Sequence, residues 1–204
     1  MATRWYRERK QEFYYKKAKK EGYRARSAFK LLQIQQKHGV LKKGDTVLDL
    51  GAAPGGWSQV AKEIVGETGN VIGIDLLPIK PLKGVHFIEG DIMDAKTKDM
   101  VKEVIGDSKV DAVISDMSPN ISGNYSLDQA RSVWLCGYAL SYAEEFLKGK
   151  GNFVCKVFEG EDFSGVRKKI DDRFQRVENV IPKASRKTSS EVYLVAFSFK
   201  ARRV

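Results

Sequence analysis

Hydrophobic and polar positions follow two rhythms along this chain. Short runs rich in β-branched residues, bounded by glycine, proline or acid, read as strands near 46–50, 70–74, 85–89, 110–115, 151–157, 175–181 and 191–199. Between them, apolar residues recur at three- and four-residue spacing, predicting helices at about 57–65, 97–105, 127–147 and 163–172. Through the last of these, Phe163, Val166, Ile170 and Phe174 form a stripe that faces a core. Strands alternating with helices imply an α/β fold, an open and mostly parallel sheet of seven strands with helices on both faces. The last two strands are joined by residues 182–190, too short for a crossover helix, so they pair as a hairpin and one of them runs antiparallel.

The first 40 residues depart from this rhythm and read as a basic helical extension to a domain spanning 41–204. Residues 5–21 hold no glycine or proline and favour helix, but their apolar spacing is loose, which suits a segment that completes its order on a partner. Gly22 ends it. A second helix runs from Ser27 to Lys37, with Ser27 as candidate N-cap, Ala28, Leu31 and Leu32 at helical spacing, and Gly39 as C-terminal cap.

Charge sharpens that division. Of a formal net charge of +10 over 204 residues, residues 1–30 contribute +8, from 11 Lys and Arg against 3 Glu, and they hold 7 of the 21 aromatics. Basic side chains interleaved with rings can neutralise phosphates and offer faces to unstacked bases, so RNA is the expected partner. The longest uncharged stretches, Leu50 to Ala61 and Ser132 to Ala143, are 12 residues each, too short to span a bilayer. With no apolar leader either, a cytoplasmic protein is expected. Cys136 and Cys155 sit in apolar runs, as reduced core thiols do, and only His38 and His86 accompany them, so no metal centre is expected.

Candidate chemistry centres on Thr46 to Ala61. The run Thr46-Val-Leu-Asp-Leu50 breaks into Gly51-Ala-Ala-Pro-Gly-Gly56 and resumes as Trp57-Ser-Gln-Val-Ala61, a strand, a glycine turn and a helix whose first N–H groups are unpaired. Asp75 ends the next strand 24 residues after Gly51, near the spacing at which nucleotide-binding folds offer a carboxylate to a ribose diol. The turn matches neither GxGxxG nor GxxxxGK[ST], which disfavours a dinucleotide or a triphosphate. Ligands in open α/β sheets sit at the carboxyl ends of strands. Asp116 follows the run Val110 to Ser115, Lys156 falls late in Phe153 to Phe158, and Glu191 opens the last strand, whose start meets the other strands' ends if it is the antiparallel one. Asp91 is a further acid at a strand end.

The segments Asp49-Leu-Gly-Ala-Ala-Pro-Gly-Gly-Trp-Ser-Gln59, Asp75-Leu-Leu-Pro78, Ser115-Asp-Met-Ser-Pro-Asn120, Lys156-Val-Phe158, Ser190-Glu-Val-Tyr193 and Arg24-Ala-Arg-Ser-Ala-Phe-Lys30 resemble the FtsJ/RrmJ-type ribose 2′-O-methyltransferases over nearly the whole chain. The resemblance implies a Rossmann-like fold and methyl transfer from S-adenosylmethionine to a ribose 2′-hydroxyl of a uridine in large-subunit (23S) ribosomal RNA, without a metal. Similar enzymes modify transfer RNA or messenger RNA caps, and an RNA-binding protein without turnover is the rival on the same fold. The family's active-site tetrad carries onto Lys30, Asp116, Lys156 and Glu191, and its cofactor pocket onto Gly55, Trp57, Asp75, Asp91 and Asp116. Lys156 is then either the proton acceptor or a charged group that steadies the developing alkoxide.

Overall fold

The structure is a computed structural model that describes residues 4–185 and 190–201, with side chains from Glu12 onward. Residues 186–189 of the last hairpin's connection lie outside the described residues, as do the side chains of Trp5 and Tyr6. In chain order the elements are α1 (Arg4–Glu21), α2 (Ala28–His38), β1 (Thr46–Leu50), α3 (Gly56–Val65), β2 (Asn70–Asp75), β3 (Val85–Glu89) and α4 (Ala95–Ile105). They continue with β4 (Val110–Ser115), α5 (Tyr125–Phe146), β5 (Leu147–Phe158), α6 (Phe163–Arg173), β6 (Phe174–Val180) and β7 (Glu191–Phe199). No helix among the described residues is long and apolar enough to cross a membrane.

The seven strands form one sheet in the order β3-β2-β1-β4-β5-β7-β6. Strand order reverses between β1 and β4, which opens a crevice at their carboxyl ends. β7 is antiparallel to both β5 and β6, so the expected hairpin forms and β7 is the antiparallel strand.

Side chains alternate across each strand, and the two faces bury separate cores. On one face Leu48, Leu50, Val113, Phe153 and Cys155 pack under α4, α5 and α6, where Val166 and Ile170 seat α6 as its stripe predicts. On the other, Val47, Ala112, Ile114, Val154 and Tyr193 pack under α2 and α3 through Ala28, Leu31, Ile34, Trp57 and Val60. Helix α2 is therefore part of this core. Helix α1 is ordered as a helix beyond the loose periodicity of its sequence, seated through Ala18 and Tyr14 against Phe29. Both cysteines are buried free thiols, their sulfurs 2.8 Å apart, and burial pushes the Cys155 thiol well up.

Ser27 is a correction. It precedes α2 but is itself helical, at φ −61° and ψ −23°, and its side chain makes no capping bond. Its carbonyl instead accepts from Lys30 N–H and from the Trp57 indole. Gly39 caps α2 in the left-handed conformation, as expected.

Candidate active site

Strand alternation brings the four separated polar residues together. Asp116 continues the parity of Ala112 and Ile114 on β4, and Lys156 continues that of Val154 on β5, so both face α2. Across the antiparallel ladder Lys156 lies opposite Tyr193, and Phe158 opposite Glu191, which places Glu191 and Tyr193 on the same face. Lys30 comes down onto them from α2.

The contacts are short. Lys156 Nζ donates to the Asp116 carbonyl at 2.6 Å and to its Oδ1 at 2.9 Å. Lys30 Nζ stands 2.8 Å from Glu191 Oε1 and 3.6 Å from Asp116 Oδ1. Tyr193 donates its hydroxyl to the same Oδ1 at 2.6 Å. Lys30, Lys156 and Glu191 are buried, an environment that ionised side chains tolerate only when paired. Burial alone would push both carboxyls up. For Asp116, however, Lys156, Lys30 and the Tyr193 bond outweigh it and hold the group below the usual range. For Glu191, Lys30 does the same.

Beside this cluster a cleft of about 350 Å³ opens at the β1–β4 switch point, with Gly51, Ala53, Asp75, Asp91 and Asp116 on its wall. Asp75 accepts the Ala53 N–H at Oδ2 and the Leu77 N–H at Oδ1, which orients the carboxylate and leaves lone pairs for a diol. Asp91 Oδ1 accepts Met93 N–H. Leu76 and Met93 are exposed at the rim, and Ile92 and Leu135 supply apolar wall. Gly51 sits at φ +74°, and a Cβ there would stand 2.4 Å from Met117 Cγ, so only glycine lets the segment after β4 close over the turn. The ribose and ring of an adenosine fit these acceptors and apolar walls.

The profile of the FtsJ-like methyltransferases matches residues 23–199. The chain belongs to that family. It is 48% identical over 204 residues to the Ribosomal RNA large subunit methyltransferase E of Methanocaldococcus jannaschii, covering 98% of this chain and 83% of that one. The protein of the same name from Acinetobacter baumannii (strain AYE) is 47% identical over 191 residues, covering 94% and 88%. A crystal structure of a ribosomal RNA methyltransferase from Plasmodium falciparum superposes with a TM-score of 0.81 at 30% identity, covering 88% of this chain and all of that one.

Within this FtsJ-like methyltransferase, Asp75, Asp91 and Asp116 stand on the cleft wall, while Gly55 and Trp57 do not. Trp57 is buried behind the turn, stacked on Tyr193 with ring centroids 5.7 Å apart and bonded to Ser27. Gly55 is the cap residue just before α3, at φ +102°. Sequence reasoning assigned no role to Tyr193. Its position two residues after Glu191 on one strand was the available signal, since side chains at i and i+2 share a face. Burial, then Asp116 and Glu191, hold its hydroxyl well above the ordinary range, so it remains a donor.

Asp49 was also unassigned. It is fully buried, and its Oδ2 accepts the Ser58 hydroxyl at 2.6 Å, whereas Oδ1 meets no hydrogen-bond donor among the described residues. Burial pushes its carboxyl up to about 7, with the Ser58 bond opposing and the charges of Asp116 and Asp75 adding to the rise. The folded protein therefore keeps a proton that the unfolded chain has already released between about pH 4 and 7, and stability falls as pH rises through that window. Asp49→Asn removes the ionisation. Urea unfolding at pH 5 and pH 8 should show a wild-type decline on the order of 2.5 kcal/mol that the variant lacks. Equal pH dependence in both proteins would locate the decline elsewhere.

Proposed function

We propose that this protein transfers a methyl group from S-adenosylmethionine to a ribose 2′-hydroxyl of a uridine in large-subunit ribosomal RNA. The observation that carries the reading is the gathering of Lys30, Asp116, Lys156 and Glu191 into one buried cluster on the edge of the cleft. Its relatives' names point to the same RNA, and the basic extension at residues 1–40 suits a large polyanion.

When bound, S-adenosylmethionine supplies a methyl group on a sulfonium, which makes that carbon electrophilic. Asp75 would hold the ribose of the adenosine, Asp91 would accept from the adenine amino group, and Leu76, Ile92 and Met93 would enclose the ring. Lys156 has two of its three donors committed to Asp116, and the remaining one meets the RNA 2′-oxygen. That contact would align an oxygen lone pair with the methyl carbon and steady the charge on that oxygen as the O–C bond forms and the C–S bond breaks, with S-adenosylhomocysteine as leaving group and the 2′-hydroxyl proton passing to water. Asp116 fixes Lys156, Tyr193 fixes Asp116, and the Lys30–Glu191 pair closes the cluster against α2.

The test is transfer of labelled methyl from S-adenosylmethionine to unmethylated large ribosomal subunits, with transfer RNA in parallel and mapping of the alkali-resistant linkage a 2′-O-methyl creates. Label on subunit RNA at one resistant uridine is expected. Label only on transfer RNA moves the substrate, and label on neither favours a binding protein.

A further inference from the structure

The glycine turn has a second face, away from the cleft, and that face is packed against the link between α1 and α2. Arg24 Nη1 donates to the Lys80 carbonyl at 2.5 Å and reaches the Pro54 carbonyl at 3.4 Å, while Nη2 donates to the Pro81 carbonyl at 2.6 Å. One planar guanidinium thus joins the cofactor turn to the β2–β3 loop. The Arg24 N–H donates to Gln59 Oε1 and Gln59 Nε2 donates to the Gly22 carbonyl, both at 3.1 Å, which clasps the link to the first turns of α3. Trp57 Nε1 donates to the Ser27 carbonyl at 2.9 Å, and the Tyr23 hydroxyl to Glu63 at 3.0 Å.

The last two glycines of the turn are occupied by this packing. A Cβ on Gly55 would stand 2.9 Å from Arg24 Nη1, and one on Gly56 would stand 3.1 Å from Ala25 Cβ. Neither residue is on the cleft wall, whereas Gly51 and Ala53 are. Six residues after Arg24 comes Lys30, which bonds Glu191 and approaches Asp116. The link and the first turn of α2 together therefore touch the cofactor turn at one end and the reacting cluster at the other.

We infer that Arg24 is a positioning residue that couples the cofactor turn to the RNA-facing N-terminal helices, so that RNA and cofactor each strengthen binding of the other. The inference rests on the function proposed above. Cofactor on the cleft face orders the peptides from Gly51 to Gly56, and RNA on α1 and α2 orders residues 22–27. Because the two segments share the Arg24 and Gln59 bonds, whichever ligand binds first has already ordered what the second requires, and the benefit is reciprocal. Arg24 touches neither the cleft nor the tetrad, so its effect is exerted through the turn and through Lys30. A lysine in its place cannot span the three carbonyls with one ammonium.

Calorimetric titration of the full chain with S-adenosylhomocysteine, with and without saturating unmethylated large-subunit ribosomal RNA, reads the coupling directly. For the wild type, RNA should tighten S-adenosylhomocysteine on the order of tenfold. In Arg24→Ala that ratio should fall below about twofold, and Arg24→Lys should lie between. A merely structural loss lowers stability and leaves the ratio alone. Should Arg24→Ala fail to fold, Gln59→Ala breaks the same clasp from the α3 side and should reduce the ratio likewise. A wild-type affinity indifferent to RNA, or a ratio that persists in both variants, overturns the inference while the methyltransferase reading stands. If S-adenosylhomocysteine does not bind the wild type, that reading falls and the inference with it.

Discussion

Replacing Lys156 by alanine is expected to slow methyl transfer by at least about a thousandfold while S-adenosylhomocysteine binds within a few-fold of its wild-type affinity. Lys156 is buried on β5 and its Nζ is committed to Asp116, off the wall of the cleft proposed for the cofactor. The deletion therefore removes the donor aimed at the nucleophile and leaves Asp75, Asp91 and the turn in place. Effects made only in the transition state lower kcat and kcat/KM together. Single-turnover transfer of labelled methyl gives the chemical step, and calorimetry gives the affinity. Parallel losses in rate and cofactor affinity would instead make Lys156 part of the cofactor pocket. Lys156→Arg keeps the charge but replaces a point ammonium with a wide planar fork in a closed space, so it should recover little activity.

Why could residues so far apart in the chain be assembled on paper? Strand ends are legible because β-rich runs stop at glycine, proline or acid, and β1, β3, β4 and β7 have the boundaries the pattern predicts. Period two then decides which face each end residue occupies. Asp116 and Lys156 follow from that rule once the parallel order is known, and Glu191 follows from the hairpin that reverses β7. Less legible was the start of β5. Pattern reading begins it at 151, but the strand starts at Leu147, because Lys148 to Gly151 form a bulged stretch in which Val110 and Ala112 face Leu147 and Asn152. Lys150 adopts φ +67° there, and a Gly-Lys repeat carries no alternation by which a strand is recognised. The start of α5 was misplaced for a local reason. Asn124 accepts the Leu127 N–H and caps the helix two residues before its apolar spacing begins.

The roles of Tyr193 and Arg24 were out of reach for a different reason. Both lie in segments that resemble the family's motifs, yet what they do depends on contacts between elements. Arg24 is bonded to carbonyls 30 to 57 residues away, and backbone carbonyls leave no mark in a sequence. Tyr193 would pass as one more β-favouring aromatic were it not opposite Lys156. Trp57 shows the reverse: the motif that contains it suggests a cofactor contact, while the structure sets it behind the turn as the ring on which Tyr193 rests.

Removing Asp116 should have the widest consequences, because one oxygen of that side chain accepts two hydrogen bonds and pairs with a third, cationic neighbour. Lys156 and Tyr193 bond to Oδ1 directly, and Lys30 stands 3.6 Å from it. In Asp116→Ala two buried ammonium groups face one another with Glu191 as the remaining carboxylate of the cluster. Breaking a buried ion pair from one side costs on the order of 3 kcal/mol, and urea unfolding at pH 7 should show a loss of that size. Acid narrows the difference. Because the Asp116 carboxyl is held below its ordinary range in the folded state, its stabilisation is present above the unfolded value near 4 and disappears as pH falls through the folded one. The gap between wild type and variant should therefore narrow below about pH 4. Activity should be lost along with part of the cofactor affinity, since Asp116 also stands on the cleft wall. Asp116→Asn separates these effects: the amide oxygen still accepts from Tyr193 and keeps the shape of the site, so stability should recover in part while transfer does not. An asparagine variant with near wild-type turnover would mean that the carboxylate's charge is dispensable, and that Lys156 is held by geometry alone.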